Sequence, residues 1–527
     1  MTADPDAIPP EIEVKLAAAD LDVLAALARL RTLGPYRLQP RPTLALESIY
    51  LDTRDHALTR AGVALRLRHN GSAWEATAKW SGSVHGALHE RPELTVALAA
   101  QPKLPFALPD GPLRLHLAAL VLGRRLTAIL RTDIQRRRLD LQPAGATRVL
   151  AEMALDAVQV RNAAGEPVGP PFCEVEIERR DGATEDLTAC HHLLQDQFGL
   201  VPSPASKFER GFTALYGDIP IQAPLQADDR VAIAARKLVA ALLARLRASD
   251  PGTRRGRDPE SLHQMRVTVR RLRATLRTYG AALPAGRRAV LNDELRWLGQ
   301  ELGRVRDLDV QLANLLWHRQ RLAPAARRRL DGFRRRMAIE CAARRVALGA
   351  LLDGRRYRTL LLQLERFALG PLPARVRGDA AEPVARVGRR AVKRVLRKIL
   401  ARGQAIGELP EAKDLHALRL RSKRLRYLLE ALSPITGGPG RRVTGQLAKL
   451  QEVLGRFNDA MVAVAALRAE HAAPDGGAPL AALADDELRR AGAAQADFHR
   501  AWRRFSAKRT RRQCRALLKT LQVAAPA

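Results

Sequence analysis

Cysteine is sparse in this chain and never clusters: Cys173, Cys190, Cys341 and Cys514 form no C-x-x-C pair. Neither a zinc site nor a disulfide framework is therefore expected to organise the fold. Long apolar runs are missing too. No stretch of about 18 consecutive apolar residues occurs, so no transmembrane helix and no membrane partner are expected. The opening Met1–Pro10 is acidic and proline-rich, without the basic and apolar regions of a signal peptide, which makes the cytoplasm the expected compartment. Aromatic residues are only 4% of the chain, offering few platforms on which nucleic-acid bases could stack.

What the chain has in excess is positive charge, and it is unevenly placed. The formal net charge is +34. Residues 1–220 hold 25 of the 89 Lys and Arg and 27 of the 55 Asp and Glu, a net of −2. Residues 221–527 therefore hold 64 basic and 28 acidic side chains, a net of +36. An arginine-rich genome would inflate both halves alike. The asymmetry assigns a polyanionic partner to the second half, with nucleic acid, anionic lipid and polyphosphate as candidates. With 527 residues, 46% of them apolar, the chain can build two to four cored domains.

The first half is read from Glu11-Ile12-Glu13-Val14-Lys15. Alternate side chains of a strand face opposite ways, so Glu11, Glu13 and Lys15 share one face and Ile12, Val14 and Leu16 the other. After a helix over Asp20–Arg31, the same alternation recurs. Ser48–Asp52 leads to Val63–His69, where Ala64, Arg66 and Arg68 alternate with Val63, Leu65 and Leu67. An Asn70-Gly71 turn joins this run to Trp74–Trp80, which carries Lys79, a hairpin signal. Leu88–Leu98 carries Glu90 and Glu93; a helix over Leu113–Leu122 follows. Leu126–Leu141 carries Arg131 and Arg136–Arg138, Val149–Val160 carries Glu152 and Asp156, and Phe172–Arg179 carries Glu174, Glu176 and Glu178. About eight strands with one apolar and one densely charged face predict a closed antiparallel barrel, polar inside and covered by helices outside. So many buried charges need ligands: a divalent metal on the carboxylates and an oligophosphate on the Arg and Lys.

Glu11-x-Glu13-x-Lys15, Leu65-Arg66-Leu67-Arg68, Lys79, Glu152-Met-Ala-Leu-Asp156, Glu174-x-Glu176-x-Glu178 and Ser206-Lys207-Phe208-Glu209-Arg210-Gly211 together resemble the CYTH family, the triphosphate tunnel metalloenzymes. The resemblance covers residues 9–216. It implies an eight-stranded tunnel that hydrolyses a triphosphate with Mg2+ or Mn2+. It further implies Glu11, Glu13, Glu174 and Glu176 as metal ligands, with Glu152 and Asp156 as additional ones. Lys15, Arg66, Arg68, Lys79, Arg136 and Lys207 would bind phosphates, and Lys79 or Lys207 would assist proton transfer. Inorganic triphosphate is the first-ranked substrate; without a base-binding signal, adenylate cyclase activity ranks lower. Two places depart from the family pattern. His89-Glu90-Arg91-Pro92-Glu93 stands where an acidic strand is usual, and its proline weakens pairing. Arg136-Arg137-Arg138 leaves the inward member open by one register.

Gly217–Gln226 is a Pro-containing connector, placed in a linker over 217–228. Beyond it, residues 229–520 are helical in period. His263, Arg266, Arg270, Arg273 and Arg277 recur at +3, +4, +3 and +4, one continuous helix stripe. Leu262, Met265, Val269, Leu272 and Leu276 form a parallel apolar stripe, and Arg271 and Thr275 lie off both. The design returns 153 residues later, where His416, Arg419, Lys423 and Arg426 fall on His263, Arg266, Arg270 and Arg273. Ala234-Ala-Arg236-Lys237 likewise falls on Val387-Gly-Arg389-Arg390, and Leu302–Asp309 on Leu454–Met461. Two repeats, 229–370 and 383–520, are expected, packed as two four-helix bundles.

The doubled His-x-x-Arg-x-x-x-Arg/Lys-Arg-x-Arg resembles the CHAD (conserved histidine α-helical) domain. That resemblance implies binding of long-chain inorganic polyphosphate by His263, Arg266, Arg270, Arg271, Arg273, His416, Arg419, Lys423, Arg424, Arg426, Lys237 and Arg390. Asp307 and Asp459 are expected to orient arginines. The fold class is thus an α+β tunnel followed by an all-α duplicated helical bundle. The functional expectation is a metal-dependent triphosphatase joined to a polyphosphate-binding module, in the cytoplasm at polyphosphate granules. The rivals are a non-catalytic polyphosphate scaffold and a basic nucleic-acid-binding protein.

Overall fold

The computed structural model describes residues 8–69, 73–217, 224–256, 258–320, 324–370, 378–408, 410–471 and 478–522. The chain divides into two compact units, Met1–Ile221 and Gln222–Ala527. The expected Asn70-Gly71 turn and most of the connector after Gly217 lie outside the described residues.

The first unit is one antiparallel sheet closed on itself. Its strands are β1 (Pro10–Ala18), β2 (Thr32–Leu33), β3 (Tyr36–Asp52), β4 (Val63–His69), β5 (Trp74–Trp80), β6 (Ser83–His85), β7 (Leu88–Leu98), β8 (Thr127–Pro143), β9 (Ala151–Asn162), β10 (Phe172–Arg179) and β11 (Val201–Pro202). Eight of them form the ring β1–β10–β9–β8–β3–β4–β5–β7, and β7 pairs back to β1. The expected tunnel is what the chain builds. Closure depends on a change of partner within β7: Leu88–Pro92 pairs with β1 and Glu93–Leu98 with β5. Pro92 sits at that change, opposite Pro10, so its missing N–H interrupts no continuous ladder. In β3, pairing with β8 breaks between Arg41 and Leu44, around Pro42, for the same reason.

Helices α1 (Leu21–Arg29), α2 (Ala57–Arg60), α3 (Pro112–Val121), α4 (Thr184–Phe198) and α5 (Lys207–Tyr216) complete this unit. Asp20 caps α1, accepting from the Val23 N–H, and Ser206 and Glu209 form a reciprocal capping box on α5. The outward alternates of the strands are covered by these helices. Val14, Leu16, Val175 and Ile177 pack with Leu24 and Leu27 of α1 and Leu187 and Leu194 of α4; Leu65 and Leu67 pack with Leu113 and Leu117 of α3. Each fully buried leucine stabilises this shell by about 2 kcal/mol. Hydrophobic burial on the outside forces the charged alternates inward.

The second unit is all helix: α6 (Val231–Arg255), α7 (Pro259–Tyr279), α8 (Ala285–Arg319), α9 (Pro324–Asp353), α10 (Arg355–Leu369), α11 (Val384–Gln404), α12 (Ala412–Ala431), α13 (Ser433–His471), α14 (Ala478–Ser506) and α15 (Lys508–Thr520). The order runs as two series of five, not the four-helix bundles expected from periodicity. The short α10 and α15 account for the difference. Arg236 of α6 donates from Nε to the Phe367 carbonyl of α10 at 2.9 Å, and Arg389 of α11 to the Leu518 carbonyl of α15 at 3.2 Å. Two arginines in matching positions thus cap two helix C-termini. The apolar stripe of α7 is buried as its period predicts, and Thr275, which the sequence reading put off that stripe, is buried with it. α13 kinks at Gly437, whose φ of 49° suits a residue without Cβ.

Gly403 of α11 faces the Trp502 ring of α14, and an added Cβ would lie 2.2–2.4 Å from three ring atoms. Helix propensity favours alanine there by about 0.5–1 kcal/mol, whereas overpacking costs about 1–3 kcal/mol. Gly403→Ala should therefore destabilise the chain by about 1 kcal/mol or more, seen as a lower urea midpoint; an unchanged or higher midpoint would contradict this packing.

Candidate functional site

The lumen of the ring encloses a cavity of about 580 Å³. β1 presents Glu11, Glu13 and Lys15 to it; β4 presents Arg66 and Arg68; β5 presents Glu75 and Lys79; β10 presents Glu176 and Glu178. From β8 come Arg136 and Arg138, while Arg137 is exposed outside, which settles the register of that arginine run. Glu93 and Arg91 of β7 point in, and Glu90 points out to solvent. Ser206, Lys207, Phe208 and Glu209, at the start of α5, also line the cavity.

Most of these charges are paired. Lys15 Nζ lies 2.7 Å from Glu176 and 3.1 Å from Glu13. Lys79 Nζ lies 2.5 Å from Glu11 and 2.9 Å from Glu93. Lys207 Nζ contacts Glu174 at 2.5 Å, Glu176 at 2.8 Å and Asp156 at 3.0 Å. Arg136 grips Asp156 with Nε and a terminal nitrogen at 2.8 and 2.6 Å, and reaches Glu176 at 2.8 Å. Asp156 and Glu174 are fully buried beneath Lys207 and are not part of the cavity wall, unlike Glu11, Glu13, Glu152 and Glu176. Sequence alternation put all six carboxylates on the inner face but could not tell lumen from layer beneath it.

Two groups in the lumen remain undercompensated. Burial, together with Glu13 and Glu93, pushes the Glu11 carboxyl up to about 8 in spite of Lys79. For Arg68, burial and the nearby Arg66 and Arg136 bring the guanidinium down to about 9; its Nε donates to Ser48 Oγ at 3.1 Å. Elsewhere pairing dominates. Burial alone would lower the ammoniums of Lys15, Lys79 and Lys207, yet their carboxylate neighbours hold each above its ordinary value. Lysines held charged in this way are fixed cations at neutral pH, not general bases.

A hard divalent cation wants crowded carboxylate oxygens, and Glu11, Glu13 and Glu93 supply them. The Lys79 ammonium between Glu11 and Glu93 shows that this cluster gathers positive charge. Among the described residues no three Asp, Glu, His or Cys side chains form a ready-made cage. Glu11, Glu13 and Glu93 are nevertheless the oxygen donors that suit a hard divalent ion.

In the second unit, α7, α8, α12 and α13 enclose a groove of about 650 Å³. His263, Arg266, Arg270 and Arg273 line it from α7, and His416, Arg419 and Lys423 from α12. Arg296 and Arg306 of α8 join them, two cations that the stripe alone did not reveal. Arg266 is held by Asp307 at 2.8 Å and Arg419 by Asp459 at 3.6 Å. His416 Nδ1 meets Asn458 Oδ1 at 3.1 Å. Burial and then neighbouring cations bring the ammonium of Lys423 down to about 7, and burial lowers Arg270 and Arg419 as well. The remaining five candidates are elsewhere, four of them paired. Arg271 lies 2.8 Å and Arg426 3.5 Å from Glu430, Lys237 lies 2.8 Å from Asp229, Arg390 lies 2.7 Å from Glu382, and Arg424 is exposed. None of these five lines the groove.

Residues 9–212 match the model of the CYTH domain and residues 237–468 that of the CHAD domain. An uncharacterized protein of Mycobacterium tuberculosis is 28% identical over 447 residues, 81% of this chain and 82% of that one. An inorganic triphosphatase of Haemophilus influenzae is 26% identical over 211 residues, 38% of this chain and 54% of its own length. The crystal structure of the CHAD domain from the plant Ricinus communis is 28% identical, with a TM-score of 0.41, over 56% of this chain and 94% of that one. No helix among the described residues is long and apolar enough to cross a membrane.

The lowered Lys423 has a consequence for stability. Its charge costs more in the folded groove than in the unfolded chain, so the penalty is full below pH about 7 and fades as pH rises toward 10.5. Lys423→Met should raise the melting temperature at pH 6, with a smaller gain at pH 9. An equal gain at both pH values would show that Lys423 is not strained by its charge.

Proposed function

The chain is a CYTH domain followed by a CHAD domain, and from that premise we propose that its tunnel hydrolyses inorganic triphosphate and its helical unit binds inorganic polyphosphate. The domains are taken as 9–216 and 229–520. The observation that carries the reading is a pair of undercompensated groups in one lumen: the Glu11 carboxyl, crowded by Glu13 and Glu93, and the Arg68 guanidinium, crowded by Arg66 and Arg136.

Glu11 and Glu13 would hold a divalent ion, Mg2+ or Mn2+, with Glu93 beside them. When bound, such an ion neutralises phosphate oxygens and acidifies a water. Arg66, Arg68 and Arg138 clamp phosphate oxygens by charge-assisted hydrogen bonds. Lys15, Lys79 and Lys207, held protonated by their carboxylates, stabilise negative charge that develops on the leaving phosphate. Asp156 and Glu174 orient Lys207 and Arg136 from below. A cavity of about 580 Å³ suits a compact polyanion.

In the helical unit, the groove cations on α7, α8 and α12 form a row with no base-reading chemistry. A flexible phosphate chain is the polyanion that such a row fits, and granule association would follow from it.

Phosphate release from triphosphate with Mg2+ or Mn2+ should fall by roughly 100-fold in Glu11→Gln or Glu13→Gln. Folded, metal-supplemented wild type that releases none would leave the tunnel a binding site only. Arg68→Ala should lower kcat/KM by roughly tenfold or more, the cost of one charge-assisted contact. His263→Ala or Arg270→Ala should weaken polyphosphate binding and leave triphosphate hydrolysis unchanged. DNA that outcompetes long polyphosphate at equal phosphate concentration would replace the polyphosphate reading with a nucleic-acid one.

A further inference from the structure

The groove of the helical unit holds one side chain whose surroundings exceed a simple anchoring role. Lys423 stands half-buried on the wall formed by α12, with Arg419 and Arg426 on its own helix and Arg270 of α7 acting on it from across. The acidic group that acts on it is Asp459 of α13, and that carboxylate already lies 3.6 Å from Arg419. Among the described residues, Lys423 makes no hydrogen bond or ion pair. Five lysines differ in this: Lys15, Lys79, Lys207, Lys237 and Lys413 each have a carboxylate within 3.1 Å. Sharing the groove with Arg270 and Arg419 and half-buried on its wall, the Lys423 ammonium is brought down to about 7, so a substantial share of it is free amine at neutral pH. A free amine is a nucleophile; an ammonium is not. The arginines that suppress its charge are also the groups that hold phosphate oxygens.

We propose that Lys423 is an acylation site supplied by small acyl phosphates, whose phosphate is seated by Arg270 and Arg419. The amine nitrogen attacks the acyl carbon, forming an N–C bond as the C–O bond to phosphorus breaks. Phosphate leaves with the bonding electron pair, and the nitrogen loses a proton to it or to solvent. No oxidant or reductant enters. The product is a neutral amide in the middle of the cationic row. This chemistry depends on the groove alone; its consequence, weaker polyphosphate binding, rests on the polyphosphate reading above.

The test uses the full-length chain with acetyl phosphate at pH 7.5, read by peptide mass spectrometry. Lys423 should be acetylated about tenfold or more faster than Lys413 and Lys508, which are exposed. Excess inorganic phosphate should slow labelling of Lys423 by acetyl phosphate more than labelling by an uncharged N-hydroxysuccinimide ester, which needs no phosphate seat. Labelling of Lys423 at the rate of Lys413 and Lys508 would overturn the proposal. Equal slowing of both reagents by phosphate would overturn the seating by Arg270 and Arg419. Fast acetylation that leaves polyphosphate affinity intact would instead count against the polyphosphate reading, so the two failures are distinguishable.

Discussion

Charge buried in a closed sheet has to be answered by charge, and this constraint shapes the tunnel. Moving an ion out of water costs several kcal/mol even after the protein relaxes. With the outer alternates of eight strands committed to helices, the inner alternates cannot escape to solvent. Lys207 illustrates the answer: three carboxylates within 3.0 Å keep its ammonium charged in a site where burial alone would neutralise it. Arg136 bridges the same acidic layer from β8. The layer is therefore rigid and self-sufficient. Above it, compensation is incomplete, and incompleteness has a sign at each place: negative around Glu11, positive around Arg68. The lumen is complementary to a cation and an anion together.

The helical unit meets the same constraint with a different geometry. A helix can turn its charges to water, so most of the arginines here are free to pair at the surface or to cap helix ends. Those that line the groove from α7 and α12 do otherwise, because the apolar stripes beside them are buried and the two helices pack against one another. Asp307 and Asp459 tie down one arginine in each stripe. Arg270 and Lys423 are left without comparable compensation, and low dielectric between the helices amplifies their repulsion. The groove therefore carries cationic charge that its own carboxylates do not fully answer.

Much of this was legible in the one-dimensional pattern, and the reasons are local. A period of two places Glu11, Glu13 and Lys15 on one face whatever the rest of the chain does. The spacing of His263, Arg266, Arg270 and Arg273 likewise forces them into one stripe. The pattern was silent wherever an outcome depended on which strand or helix lay alongside. Glu90 and Glu93 have opposite parity, and only the pairing of β7 with β1 and β5 shows that Glu93 is the inward one. Pro92 looked like a defect in a strand, but it marks the point where β7 changes partner. Lys237 and Arg390 looked like members of the basic row because they repeat; they repeat beside Arg236 and Arg389, in a helix-capping segment, and pair with local acids.

The sequence by itself determined the strand alternation, the two-unit division of charge, and the doubled stripe, since each follows from backbone periodicity and residue type. Tertiary structure decided which of those charges compensate one another. That choice depends on distances of 2.5–3.8 Å between residues far apart in the chain, such as Lys207 and Asp156 or Arg138 and Glu152, and on burial that removes water from between them. It turned six like carboxylates into a lining set and a supporting layer, and it singled out Lys423 from a row of arginines. Periodicity can bring charges to one face; only close approach in a low dielectric can make them differ from one another.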